Sequence, residues 1–66
     1  MVHQRIRQLA KQIYGLEKEI DIRRLFDMTN STWYNYIKHD FQNMPVSKAI
    51  EVAKKLNTSV EALFSL

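Results

Sequence analysis

The sequence predicts a single all-α domain, a compact five-helix bundle, and three observations carry that prediction. Apolar residues recur at spacings of three and four in successive segments, the signature of helices with one buried face. Residues suited to ending helices (Gly15, Asp27, Asn57) or starting one (Pro45) fall between those segments. The chain has 66 residues, room for one domain covering residues 1–66. A chain this short buries only about 60% of the surface its unfolded form exposes, so nearly every apolar side chain is needed for the core.

Val2, Ile6, Leu9, Ala10 and Ile13 make one apolar face, which predicts a first helix over residues 2–14 that ends at Gly15. Ile22, Leu25 and Phe26 give a short second stripe, with Leu16 and Ile20 expected to pack in its lead-in. This helix begins either near Lys18 or at Asp21, a residue suited to an N-cap. Asp27-Met28-Thr29 reads as a tight turn, because Asp tolerates the left-handed backbone region and Thr29 can cap the next helix. Trp33, Tyr36 and Ile37 are the inner stripe of that third helix. The residues from His39 to Met44 form a polar loop with two apolar anchors. Val46, Ala49, Ile50, Ala53 and Leu56 predict a fourth helix over residues 45–56, with Pro45 in its first turn. Asn57 suits a left-handed helix end, and Thr58-Ser59-Val60-Glu61 fits the capping-box pattern. Val60, Leu63 and Phe64 then face inward from a short last helix. Two short helices joined by a tight turn, over about residues 18–39, are a helix-turn-helix arrangement.

Composition excludes several classes. There is no cysteine, so disulfides and thiol chemistry cannot operate. No apolar run exceeds three residues, far short of a membrane span, and no signal-peptide pattern is present. A cytoplasmic protein with no membrane partner is expected. His3 and His39 lack ligand-type spacing to other residues, so no metal or other cofactor is expected. Met1, Met28 and Met44 are too scattered for anything but packing. No serine or acid is placed for nucleophilic or acid–base work. So small a core leaves little material for a substrate pocket, and an enzyme is not expected. Ten Lys and Arg against seven Asp and Glu give a net charge of +3, a weak pointer toward nucleic acid.

The informative stretch is Thr29 to Lys38. Opposite its inner stripe, Ser31, Tyr34, Asn35 and Lys38 stack at spacings of three and four. That row carries one charge and is rich in groups that both donate and accept hydrogen bonds. A solvated face more often carries Glu–Lys pairs. The row therefore reads as the surface that meets a partner, and the partner as double-stranded DNA. Trp33 and Tyr36 resemble stacking platforms for single strands, but the stripe they share with Ile37 makes them core.

These residues resemble the lambda-repressor/Cro type of helix-turn-helix domain found in bacterial and phage regulators. The segment Ile50-Glu51-Val52-Ala53-Lys54-Lys55-Leu56-Asn57-Thr58-Ser59-Val60-Glu61-Ala62-Leu63-Phe64 is similar to the family's fourth helix, turn and fifth helix, with Asn57 in place of the usual glycine. Ser31-Thr32-Trp33 with Tyr36 matches the start and core of the recognition helix, and Arg5-Ile6-Arg7-Gln8-Leu9 looks like the first helix. The resemblance implies a transcriptional regulator, a Cro-like repressor of the bacterial cytoplasm or a phage-infected host, with the third helix in the major groove. Ser31, Tyr34, Asn35 and Lys38 would then read base edges, Asn35 by a bidentate bond to adenine. Thr29, Asn30 and Thr32 at the start of that helix, and Gln42, Asn43 and Lys48 after it, are candidate phosphate contacts; simple capping and solvation explain each about equally well. A homodimer on half-sites about 34 Å apart is the expected mode, with Leu63, Phe64 and Leu66 as candidate dimer residues.

Three departures from the family count against its phosphate contact from the second helix. Glu19 stands where glutamine is usual, Arg23 stands where a small residue is usual, and the first connection is longer. The acidic group Glu17, Glu19 and Asp21 favours an alternative from another class: a protein-binding modulator, such as a phage-type antirepressor or adaptor, that reuses the fold without strong DNA binding.

Overall fold

The computed structural model describes residues 1–65; Leu66, a candidate dimer residue, lies outside them. Five helices follow in order: α1 (Val2–Tyr14), α2 (Glu19–Leu25), α3 (Asn30–Lys38), α4 (Val46–Lys55) and α5 (Val60–Phe64). The Cα radius of gyration is 10.6 Å, close to the roughly 11 Å expected of a folded chain this long. No helix among the described residues is long and apolar enough to cross a membrane.

α1 buries Val2, Ile6 and Ala10 and stops at Gly15, whose φ of 70° lets its N–H close on Lys11 O. Leu9 is half-buried against the core, whereas Ile13, expected on the same face, is 40% exposed. The other end of α1 is capped from a distance. Asp40 accepts the Val2 and His3 backbone N–H groups, each at 3.2 Å, so one side chain satisfies two of the donors a helix start leaves unpaired. Burial alone would raise the Asp40 pKa, but the N–H groups of His3 and Val2, helped by nearby positive charge, outweigh it and hold the carboxyl below its ordinary value.

That depressed value fixes a pH window. The carboxylate's contribution is fully present above the unfolded pKa, near 3.9, and is lost as pH falls through the lower folded value. Asp40→Asn keeps one acceptor oxygen and loses the other with the charge, so it should cost about 0.5–1.5 kcal/mol near neutrality, the net range for one hydrogen bond. In urea melts the gap between the two proteins should narrow below about pH 4. A gap that persists unchanged well below that pH would show that the charge contributes nothing.

α2 begins after Lys18, the earlier of the two starts the sequence allowed; Glu19 and Asp21 then lie in its first turn, where negative charge suits the helix dipole. Ile20 is 42% exposed rather than packed, because the buried contact of this helix is made by Ile22. Its C-terminal end is closed by α4: Lys55 Nζ donates to Leu25 O at 2.8 Å and Lys48 Nζ to Phe26 O at 3.1 Å. Asp27 then takes the left-handed region at φ 58°. Arg23 holds the turn from outside, its Nη1 donating to Met28 O at 2.9 Å while Met28 N–H returns to Arg23 O.

The two lysines lie on the flank toward which α4 is rotated from its expected face. Val46 is 74% and Ile50 41% exposed, while Val52 joins Ala49, Ala53 and Leu56 inside. Both sets of positions are helical stripes, and the lysine flank that meets α2 lies on the Val52 side. Turning that flank inward turns Val46 and Ile50 out. Pro45 is the N-cap of α4 rather than its first helical residue. At α5, Ser59 rather than Thr58 is the cap; its hydroxyl accepts from Ala62 N–H at 3.0 Å. Three residues beyond Ser59 stands Ala62, so Glu61 forms no reciprocal box. Asn57 is left-handed as expected, at φ 58°.

The loop before α4 is tighter than a polar connection. Asp40 and Phe41 are consecutive left-handed residues at φ 49° and 65°. A bulky residue rarely adopts this region, and here it drives the Phe41 ring fully inward. The ring sits 5.3 Å from Trp33, 5.8 Å from His3 and 5.9 Å from Tyr36, centroid to centroid.

Candidate nucleic-acid interface

α3 starts where Thr29 Oγ1 accepts the Thr32 N–H at 3.3 Å, one side chain satisfying a donor of the first turn. From there the helix divides as its spacing requires. Trp33 is 1% exposed, and Tyr36 and Ile37 are half-buried against the core. Ser31, Tyr34, Asn35 and Lys38 are on the outer side, Tyr34 exposed to 55%.

The remaining candidates fall into two groups. Thr29 and Thr32 bond each other, Thr29 Oγ1 donating to Thr32 Oγ1 at 2.9 Å, which leaves the Thr32 hydroxyl proton for an outside acceptor. Asn30 is exposed beside them at a shallow cleft between α2 and α3, shared with Glu19, Ile20, Arg23, Trp33 and Tyr34. Gln42 and Asn43 follow α3 in the loop; Gln42 Nε2 donates to Asp40 O at 3.3 Å, and Asn43 Nδ2 donates to Asn35 Oδ1 at 2.9 Å. All of these side chains remain on the surface.

Lys48 belongs to neither group. Its ammonium is engaged inside the fold, on Phe26 O and on Glu51 at 2.7 Å. The Lys48 hydrogen bond and charge hold the Glu51 carboxyl below its ordinary pKa. The residue is held at the end of α2 rather than free on the surface. Leu63 is likewise committed: at 1% exposure it fills the protein's own core and offers nothing to a second copy. Phe64 is half-buried against that core. The end of α5 is held by Arg5, whose Nη1 donates to Leu63 O at 3.0 Å and also reaches Ser65 O.

Beneath the outer row lies a polar hub that periodicity did not reveal. Glu19 Oε1 accepts from His3 Nε2 at 2.7 Å and from the Trp33 indole N–H at 3.3 Å. Its Oε2 is buried without a hydrogen bond, although Arg7 Nε lies 3.3 Å away as an ion-pair partner. One carboxylate thus ties α1 and α2 to the base of α3. Glu17 is paired with Lys11 at 3.2 Å. The acidic group that favoured the protein-binding alternative is therefore largely matched by cations of α1, leaving Asp21 as its one acid without an ion pair among the described residues. Spacing could not have shown this, because the partners lie on different helices; a buried indole N–H does, however, call for an acceptor. The chain matches no protein-family model, no curated protein and no solved structure.

Proposed function

We propose that this protein binds double-stranded DNA in a sequence-specific way and regulates transcription, with α3 lying in the major groove. The observation that carries this reading is the division of α3. Its outer row of Ser31, Tyr34, Asn35 and Lys38 faces outward as a block, framed by short polar groups at the start of α3 and in the loop after it. Such a row matches the donor and acceptor pattern of base edges. Thr32, Asn30, Gln42 and Asn43 border it where phosphates would pass. The resemblance to lambda-repressor/Cro domains supports the same reading, and so does the neutralisation of Glu19 by Arg7. One copy offers few contacts, so a two-fold dimer on a symmetric operator follows; its contacts would have to come from residues other than Leu63.

A second reading has one observation in its favour. Ile20 and Tyr34 are 42% and 55% exposed on either side of the cleft between α2 and α3, which suits an apolar side chain of a partner protein. Selection of bound duplexes from a random DNA pool separates the two. Enrichment of a two-fold symmetric site is the expected result, and a pool that stays random at low salt favours the protein-binding modulator.

A further inference from the structure

Asn35 and Asn43 sit on the surface, yet their carboxamides are joined. Asn43 Nδ2 donates to Asn35 Oδ1 at 2.9 Å across the end of α3. The backbone around Asn35 is fixed as well, since His39 Nδ1 donates to Asn35 O at 3.0 Å. A free asparagine side chain presents oxygen or nitrogen with equal ease, because its amide turns over by rotation. Here the oxygen is drawn toward the loop, while Nδ2 makes no hydrogen bond among the described residues.

We propose that Asn43 is a positioning residue that sets what Asn35 offers to DNA, so that the base Asn35 meets is guanine. This inference rests on the DNA-binding reading above. An asparagine free to use both ends pairs with adenine, accepting from N6 and donating to N7. With its oxygen held toward the loop and one of that atom's two lone pairs taken, Asn35 presents chiefly its Nδ2 donors. Guanine presents two acceptors, N7 and O6, and no donor in the major groove, which makes it the best match to a group that presents mainly donors. Asn43 thereby acts on specificity without needing to touch DNA, a role distinct from a phosphate contact, which would weaken all sequences alike.

The test is selection from a random duplex pool with wild type, Asn35→Ala, Asn43→Ala and Asn43→Asp, each first checked for unchanged helical circular dichroism. Asn35→Ala locates the base pair concerned, and wild type should show guanine there. Aspartate at position 43 can only accept, so it should turn the Asn35 amide over and expose its oxygen. Preference at that one position should then move to cytosine or adenine, which offer a donor. The added charge lowers affinity for every sequence but not the relative preference. Asn43→Ala should reduce discrimination at that position by roughly two- to tenfold, the range one exposed hydrogen bond supports. Base preferences unchanged in both Asn43 variants, or a position sensitive to Asn35→Ala that shows no guanine, would overturn the proposal and leave DNA binding intact. A wild-type pool with no enriched site removes the DNA reading and the proposal together.

Discussion

Raising the salt from about 50 to about 200 mM should weaken the DNA complex by roughly a thousandfold. Each Lys or Arg that neutralises a phosphate releases condensed counterions, and that release loses its advantage as bulk salt rises. Lys18, Arg24, Lys38 and Lys54 are exposed and make no ion pair among the described residues. On the proposed dimer, three of these four meeting phosphate in each subunit would neutralise about six phosphates, which sets the size of the expected loss. Two substitutions sharpen the measurement. Lys38→Ala should lower the salt slope by about one per subunit. Lys48→Ala should leave it unchanged, because that ammonium already serves Phe26 O and Glu51; its effect belongs to stability. Fluorescence anisotropy at a series of salt concentrations reads both. A slope near zero for wild type would point to the protein-binding alternative, and a reduced slope for Lys48→Ala would show that its inward contacts are exchanged for phosphate.

Trp33→Ala should cost about 3–5 kcal/mol, the range for deleting a large buried aromatic side chain. A domain of this length has a total stability of roughly 3–10 kcal/mol, so the loss removes from about a third of the total to all of it. The indole is the keystone of the inner side. It packs edge-on against Phe41 and stacks on Phe26, and its N–H donates to Glu19. Trp33→Phe keeps most of the packing and removes the donor, so a smaller loss, about 1 kcal/mol, is expected. Urea denaturation followed by circular dichroism distinguishes the two. Equal losses would mean that the hydrogen bond to Glu19, rather than packing, dominates at this position.

The helices and their order were legible because each has its own apolar stripe and three of them their own stop. Gly15, Asp27 and Asn57 all take the left-handed region at the expected positions. Sequence spacing could not convey which of two overlapping stripes faces inward. On α4 the inward stripe includes Val52 and leaves Val46 and Ile50 out, and on that flank Lys48 and Lys55 bind the carbonyls of Phe26 and Leu25 at the end of α2. Contacts between distant segments were equally hidden. Asp40 caps a helix that precedes it by more than thirty residues, at separations of 37 and 38. Glu19 reads as an unwelcome charge until Arg7, His3 and Trp33 are placed around it. The outer row of α3 was readable for the opposite reason: Ser31, Tyr34, Asn35 and Lys38 owe their shared face to one helix and to no neighbour.

That row is the centre of the functional reading, and selection from a random duplex pool with alanine variants tests it most directly. Wild type should enrich one two-fold symmetric site, and the preferred bases within it should change when Tyr34, Asn35 or Lys38 is replaced by alanine. An enriched site that survives all three substitutions unchanged would show that DNA is read by some other surface.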